Sequence, residues 1–224
     1  PHPAEGFSMR VIVIGGHGRT GLLIVEKLIA AGDSVVATIR NPRHMADLVK
    51  RGAETIVLDL ETSPLFEFTT AMKGADAVVF AAGSGAGQTS ELDRIGVRRT
   101  LHAAQNAGVR RYVAISSIGA STGLSTRKMS DEMKDYYKQK RAAAKFIHAS
   151  GLDWTILEPG ELTDAPGTGK VSLSEAAIEG GSIPREDVAA TIVAVLAEPR
   201  SAGHTFQLVS GDTPIAAALK AALR

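Results

Sequence analysis

Residues 10–21 read RVIVIGGHGRTG, a short apolar run followed at once by a glycine-rich bend. The run at 10–14 is rich in Val and Ile, which is typical of a strand buried on both faces of a parallel sheet. Glycines at 15, 18 and 21 permit a tight turn that aims backbone N–H groups at the start of the next helix toward a diphosphate. A strand, a glycine bend and a helix in this order predict an α/β fold that binds a dinucleotide.

The same alternation continues outward from this stretch as far as residue 157, with short β-branched runs between longer amphipathic stretches. It predicts α/β architecture with a doubly wound parallel sheet, the NAD(P)-binding Rossmann fold. The predicted strands are residues 10–14, 34–39, 55–58, 77–81, 111–116 and 154–157. The predicted helices are residues 20–31, 90–107 and 130–150, which end at Gly32, Gly108 and Gly151, where a left-handed cap costs least.

The residues after Gly160 contain a Gly/Pro-rich loop, a helix beginning near Pro184, a strand around 205–209 and a final Ala-rich helix. They leave no room for a large substrate domain, so we expect a small C-terminal cap on the same sheet. Residues 9–224 are therefore predicted to form a single domain, preceded at 1–8 by a loose leader or cloning remnant. We expect the loop at 161–170 to roof the site and to order only when ligand binds.

The composition excludes several functional classes. The chain has no cysteine, which removes disulfides, thiolate metal sites and cysteine nucleophiles. A formal net charge of +1 provides no field for a polyanion, and no stretch has the pattern of a signal peptide or a membrane span. We therefore expect a cytoplasmic monomer or small homo-oligomer that acts on a small-molecule substrate, with neither nucleic acid nor membrane as a partner.

The glycine bend supplies the first predicted cofactor contacts. A bulky residue at position 15 or 18 would obstruct the approach of the diphosphate to the backbone. The six histidines have no metal-ligand spacing, so His17 is expected beside the cofactor, and no metal site is predicted. The residues of the bend assigned to the cofactor are Gly15, His17, Gly18, Arg19, Thr20 and Gly21.

The end of the second strand indicates which dinucleotide binds. About 20 residues past the glycine bend, an NAD-preferring site has an acid that holds the ribose hydroxyls. This chain has TIRN at 38–41 instead. Arg40, helped by Arg43, offers a guanidinium group suited to a ribose 2′-phosphate, so we predict NADP in preference to NAD. The alternative is a solvent-exposed arginine at a strand end.

Further motifs carry a family resemblance. They are Asp59-Leu60 after the third strand, Ala81-Ala82-Gly83 after the fourth, Ser116-Ser117 after the fifth and Glu158-Pro159-Gly160 after the sixth. With the glycine bend, they resemble the atypical short-chain dehydrogenase/reductases, in particular their NAD(P)H-binding, NAD-dependent epimerase/dehydratase-like subgroup. The resemblance covers nearly all of residues 10–223, and the subgroup is also similar to biliverdin-IXβ (flavin) reductases.

The resemblance implies roles for these residues. Asp59 and Leu60 would flank the adenine. The run Ala81, Ala82 and Gly83 would border the adenine ribose. Pro159 and Gly160 would lie near the nicotinamide, and Glu158 stands where the family often has an arginine.

Tyr136 and Lys140 are the catalytic candidates, four residues apart on one face of a predicted helix. By resemblance they are the family's Tyr-x-x-x-Lys, in which tyrosine exchanges a proton with the substrate oxygen. Free tyrosine has a pKa of ~10, so it needs a nearby cation to act near neutrality. Lys140 supplies that charge and can also hold the ribose. Ser117 is assigned to orient the substrate oxygen, and Ser116 is assigned to the cofactor. A shift of the strand register by one residue would exchange these two roles. The alternative is that Tyr136 only packs against neighbouring side chains and that Lys140 is a solvent-exposed charge.

Three functional hypotheses follow. The first is an NADP-dependent oxidoreductase acting on a small carbonyl or alcohol. The second is a non-catalytic NADPH-binding redox sensor or scaffold, and the third a flavin or tetrapyrrole reductase that does not need the tyrosine. Sugar-nucleotide epimerisation is disfavoured by the short C-terminal segment, and a serine hydrolase by the missing Gly-x-Ser-x-Gly elbow.

Overall fold

The computed structural model describes residues 8–83, 91–122 and 129–224. The first seven residues of the expected leader and the predicted helix start at residue 90 lie outside the described residues. Within the described ranges, strands and helices alternate along the chain, as expected for an α/β fold.

The strands are β1 (Arg10–Ile14), β2 (Ser34–Ile39), β3 (Glu54–Val57), β4 (Ala77–Phe80), β5 (Arg111–Ile115), β6 (Asp153–Pro159), β7 (Glu161–Thr163), β8 (Lys170–Ser174), β9 (Ser182–Pro184), β10 (His204–Ser210) and β11 (Thr213–Pro214). The helices are α1 (Arg19–Ala30), α2 (Met45–Lys50), α3 (Leu65–Met72), α4 (Glu91–Ala107), α5 (Asp131–His148), α6 (Arg185–Leu196) and α7 (Ile215–Ala222). None of these described helices combines the length and apolarity that crossing a bilayer requires. The predicted bounds of β1 and β2 are confirmed, and those of α1 and α5 are within two residues at each end.

Nine described strands form one open sheet in the order β11-β8-β10-β6-β5-β4-β1-β2-β3. The seven strands from β3 at one edge to β10 are all parallel. Beyond them β8 is antiparallel to β10, and β11 is antiparallel to β8. The predicted doubly wound parallel sheet is confirmed, and its strand order reverses at β1, which lies between β2 and β4.

Two hydrophobic cores cover the two faces of this sheet. In β1, Val11 and Val13 pack in one core with residues of α1, α6 and α7. Ile12 and Ile14 pack in the other core with residues of α3, α4 and α5. Because helices bury both faces of β1, residues 11–14 are apolar without alternation.

The loop at 161–170, which was expected to roof the site, contacts β9 and the start of α6. Its first residues form β7, which pairs in parallel with β9 in a separate two-stranded sheet. Further on, the backbone N–H of Gly167 donates to Glu186 Oε2 at 2.9 Å, and that of Gly169 donates to Asp187 Oδ1 at 2.8 Å. Two carboxylates in the first turn of α6 therefore hold the second half of this loop.

A buried carboxylate joins the end of β6 to the loop after β5. Glu158 is fully buried and accepts hydrogen bonds from the backbone N–H of Ser121 at 2.8 Å and from its hydroxyl at 2.9 Å. Gln207, its neighbour in β10, donates from Nε2 at 3.4 Å. Burial raises the pKa of Glu158 above its ordinary range, although these hydrogen bonds act in the opposite direction.

The substitution Glu158→Gln tests this burial through the pH dependence of stability. A raised pKa in the folded state means that the folded chain binds the proton more tightly than the unfolded chain does. The contribution of Glu158 is therefore most favourable below about pH 4 and declines as the pH rises through the raised pKa. Glutamine does not titrate, so the free energy of unfolding of the variant minus that of the wild type should increase with pH.

Urea unfolding at a series of pH values from about 4.5 to 8 measures this difference. Glu179→Gln, at an exposed glutamate, is the matched control and should retain the pH slope of the wild type. Parallel stability curves for Glu158→Gln and the wild type would contradict the assignment of a buried carboxylate.

Candidate functional site

A cleft of about 430 Å³ opens at the carboxyl ends of the parallel strands. Ligands of open α/β sheets bind at this edge, beside the point where the strand order reverses. Most of the lining residues stand at or just after the end of β1, β2, β3, β4 or β5. They include Ile14, Gly15, Thr38, Arg40, Leu58, Asp59, Leu60, Ala81, Ala82, Gly83, Ile115 and Ser116. The other lining residues include members of the first turn of α1, the first turn of α4, one face of α5, β7 and the start of α6.

The glycine bend forms the floor of the cleft through close backbone contacts. Gly15 has a φ of +80°, and a Cβ there would lie 2.8 Å from the backbone of Ala82. A Cβ on Gly21 would lie 2.2 Å from the carbonyl oxygen of Gly15. Side chains are therefore excluded at both positions, and the bend presents backbone to the cleft.

The start of α1 fits a bound diphosphate. Gly18 precedes the helix without a side-chain cap, and no acidic residue lies in the first turn. The first N–H groups of a helix lack partners within the helix, and the helix dipole favours an anion beside them. Gly18, Arg19 and Thr20 line the cleft at this point, as predicted for cofactor-binding residues.

Two residues of the bend that were assigned to the cofactor, His17 and Gly21, do not line the cleft. The ring of His17 stacks on that of His44, with centroids 3.8 Å apart, and its Nε2 lies 3.1 Å from Asp47 Oδ2. Gly21 is buried beneath the bend, where its lack of a side chain permits the contact with Gly15. The structure therefore gives Gly21 a supporting position and brings His17 into contact with the segment after β2.

The two arginines predicted for the 2′-phosphate are separated. Arg40 is exposed at the end of β2 and lines the cleft. Arg43 lies in a short 3₁₀ turn, Pro42–His44, and does not line it. The backbone N–H of Arg43 donates to Asn41 Oδ1 at 3.0 Å, which directs the chain away after Arg40.

The residues that the resemblance assigned to the adenosine end lie together in the cleft. Asp59 and Leu60 follow β3, and the run from Ala81 to Gly83 follows β4. The Oδ1 of Asp59 accepts from the backbone N–H of Glu61 at 2.7 Å, so this carboxylate also closes the turn after β3.

The catalytic candidates meet at the other end. Tyr136 and Lys140, on one face of α5, line the cleft with Ser116. The hydroxyl of Ser116 is buried and has no hydrogen-bond partner among the described residues, whereas Ser117 does not line the cleft. Of the two serines left open by the strand register, Ser116 is therefore the one that lines the cleft, with its hydroxyl group buried.

Lys140 has a buried partner that the sequence analysis missed. Its Nζ lies 3.1 Å from Asp93 Oδ1, and the two side chains are only 8% and 2% exposed. The same ammonium lies 5.5 Å from the centroid of the Tyr136 ring. A signal for Asp93 was present, because it occupies the same helical face as the buried residues Gly96, Val97 and Thr100.

Pro159 and Gly160 do not line the cleft. The backbone N–H of Gly160 donates to Leu208 O at 2.9 Å, and a Cβ at this position would lie 2.2 Å from the carbonyl oxygen of Gly181. These contacts place the end of β6 against β10 and the residue before β9. Leu162 of β7 and Arg185 of α6 do line the cleft, and the sequence analysis assigned neither. Nowhere in the described ranges do three His, Asp or Glu side chains form a group that could hold a metal ion.

The chain is similar to several known proteins over nearly its whole length. The chain is 39% identical over 217 residues to a Bacillus subtilis (strain 168) protein named uncharacterized sugar epimerase YhfK, covering 95% of this chain and 99% of that protein. A solved structure of a candidate NAD-dependent epimerase/dehydratase from Bacillus halodurans superposes with a TM-score of 0.86 at 33% identity, covering 96% of this chain and 100% of that chain. The oxidoreductase ylbE from Lactococcus lactis gives a TM-score of 0.83 at 25% identity, with 96% and 97% covered. Residues 15–199 match the family described as NAD(P)H-binding, and the chain belongs to that family.

Proposed function

We propose that this protein is an NADP-dependent oxidoreductase of the short-chain dehydrogenase/reductase type that acts on a small carbonyl or alcohol. The observation that carries the proposal is that one cleft joins the glycine bend to Tyr136, Lys140 and Ser116. A nicotinamide dinucleotide is long enough to need both ends of such a cleft. Its adenosine end would lie beside Arg40 and its diphosphate at the start of α1.

The residues present fit this cofactor. Close backbone approach at Gly15 and the uncapped start of α1 suit a diphosphate, and the guanidinium of Arg40 suits a 2′-phosphate. When bound, the cofactor supplies or accepts the hydride, and the protein supplies binding, orientation and proton transfer. The remaining steps are those of the chain's own side chains.

Tyr136 is the proton donor in the proposed reaction. When a carbonyl is reduced, its carbon receives a hydride and its oxygen receives a proton. The hydroxyl of Tyr136 donates that proton, and the hydroxyl of Ser116, which has to turn out of its buried position, donates a hydrogen bond that orients the same oxygen. In alcohol oxidation the proton returns to Tyr136.

Lys140 supplies the positive charge that stabilises the tyrosinate formed in this step. The buried Asp93 holds the ammonium in place, and its negative charge offsets part of this stabilisation. The lysine is therefore positioned by α4 as well as by its own helix.

The substitution Tyr136→Phe separates the functional hypotheses. Loss of the phenolic hydroxyl should lower kcat for carbonyl reduction about 100- to 10,000-fold, the usual contribution of a positioned acid or base. The Kd for NADPH should stay unchanged, because the ring remains. NADPH oxidation over a panel of carbonyls, quinones and flavins, with NADPH titration in parallel, measures both.

Tyr137→Phe is the matched control. The hydroxyl of Tyr137 donates to Ile118 O at 3.2 Å outside the cleft, so turnover should persist. Flavin reduction that survives in Tyr136→Phe would favour the flavin or tetrapyrrole reductase, and NADPH binding without consumption would favour the sensor or scaffold. A sugar epimerase consumes no net cofactor, so the NADPH oxidation assay would not detect it. Nucleotide sugars are therefore assayed by analysis of the products.

The substitution Arg40→Ala tests the choice of cofactor. Removing a charged hydrogen-bond donor to the 2′-phosphate should weaken NADPH binding about 10- to 100-fold and leave NADH binding unchanged. Calorimetric titration of both coenzymes measures this, with Arg43→Ala as the control outside the cleft. Equal affinity for NADH and NADPH that Arg40→Ala does not change would defeat the NADP assignment.

A further inference from the structure

Two arginines of the cleft share one carboxylate. Arg19, the first residue of α1, donates from Nη1 to Asp164 Oδ2 at 3.0 Å. Arg185, the first residue of α6, donates from Nη1 to Asp164 Oδ1 at 2.5 Å. Both arginines line the cleft, and Asp164 directly follows β7, whose Leu162 also lines it. Each oxygen of this carboxylate thus contacts an arginine from a different helix.

The three side chains differ in exposure. The side chain of Arg185 is 10% exposed, whereas those of Arg19 and Asp164 are 71% and 66% exposed. An ion pair between exposed groups has little net stability, because water and salt screen it. The contact of Arg19 with Asp164 is therefore easily exchanged for another anion, whereas packing fixes Arg185 beside the cleft.

The start of α1, where Arg19 stands, is also where the geometry fits a diphosphate. A dinucleotide bound there brings two negative charges within reach of Arg19. Those charges compete with Asp164 for the guanidinium group, and the negative charge of Asp164 repels them. The buried guanidinium of Arg185, which shares Asp164 with Arg19, attracts the same charges from the start of the neighbouring helix α6.

We propose that Arg19, Arg185 and Asp164 form an ionic clasp at the diphosphate site, in which the arginines raise dinucleotide affinity and Asp164 lowers it. The proposal rests on the proposed function only in requiring that a nicotinamide dinucleotide binds in the cleft. It assigns Arg185 as a cofactor-binding residue and Asp164 as a residue that limits affinity, whatever substrate is turned over.

The two arms of the clasp predict opposite effects on coenzyme binding. Asp164→Asn removes the competing charge and should tighten binding of NADPH about 3- to 10-fold at low salt. Arg185→Ala should weaken binding by about 10-fold or more, and Arg185→Lys, which keeps the charge, should lose less. Calorimetric Kd values for NADPH and NADH measure all three variants. Both coenzymes carry the diphosphate, so the shifts should be equal for the two.

A matched control removes the same charge elsewhere. Asp153 pairs with Arg110 at the amino end of β6, whereas the cleft lies at the carboxyl ends of the strands. Asp153→Asn should therefore leave coenzyme affinity unchanged. The gain in Asp164→Asn should also shrink as salt rises from about 50 to 500 mM, because salt screens exposed charges. A thermal melt of Arg185→Ala separates loss of binding from loss of folding.

The outcomes distinguish the two proposals. Tighter binding in Asp164→Asn cannot come from partial unfolding, so it supports the clasp even if Arg185→Ala folds poorly. Unchanged or weaker binding in Asp164→Asn, in a wild type that binds NADPH, would overturn the clasp alone. A wild type that binds neither coenzyme would overturn the proposed function.

Discussion

The site depends on backbone approaching backbone at two glycines more closely than any side chain permits. The carbonyl oxygen of Gly15 occupies space that a Cβ on Gly21 would need, and the backbone of Ala82 occupies the space beside Gly15. These contacts bring the end of β1, the start of α1 and the loop after β4 together. Because no side chain intervenes, the N–H groups at the start of α1 lie at the floor of the cleft, a position suited to the hydrogen bonds and the helix dipole that would stabilise a diphosphate.

The strand order explains why the other functional groups collect at the same ends of the strands. The chain leaves the sheet at the carboxyl end of every parallel strand. The connections on the two sides of β1 then run in opposite directions along the sheet. The crevice that this reversal leaves receives Arg40 and Asp59 from β2 and β3 on one side. It receives Ser116 from β5, with Tyr136 and Lys140 from α5, on the other. The proposed division into an adenosine end and a reacting end thus follows from strand order.

The features that the sequence predicted well are those with local signals. A buried strand, a glycine bend and a long amphipathic helix each have a pattern within a few neighbouring residues, so β1, β2, α1 and α5 were located closely. The short strands β7, β8, β9 and β11 and the helices α2 and α3 have no such pattern, because two to eight residues give too little periodicity. The pairing of Lys140 with Asp93 joins residues 47 apart in sequence, and that of Arg19 with Asp164 joins residues 145 apart. Such contacts depend on the packing of distant elements, so residue types alone do not reveal them. The choice between Ser116 and Ser117 likewise depends on one residue of strand register.

Among the described residues, three of the four cations that line the cleft are paired with carboxylates, and this bears on how a coenzyme is recognised. Asp93 partners Lys140, and Asp164 partners both Arg19 and Arg185. The buried pair is costly to break, because either charge would be left in a medium that solvates it poorly, so Lys140 and Asp93 stay together as a unit. The exposed pair exchanges readily, because water solvates its members when they part. The proposed clasp would therefore make dinucleotide affinity adjustable at the diphosphate, whereas the fold fixes the charge beside Tyr136.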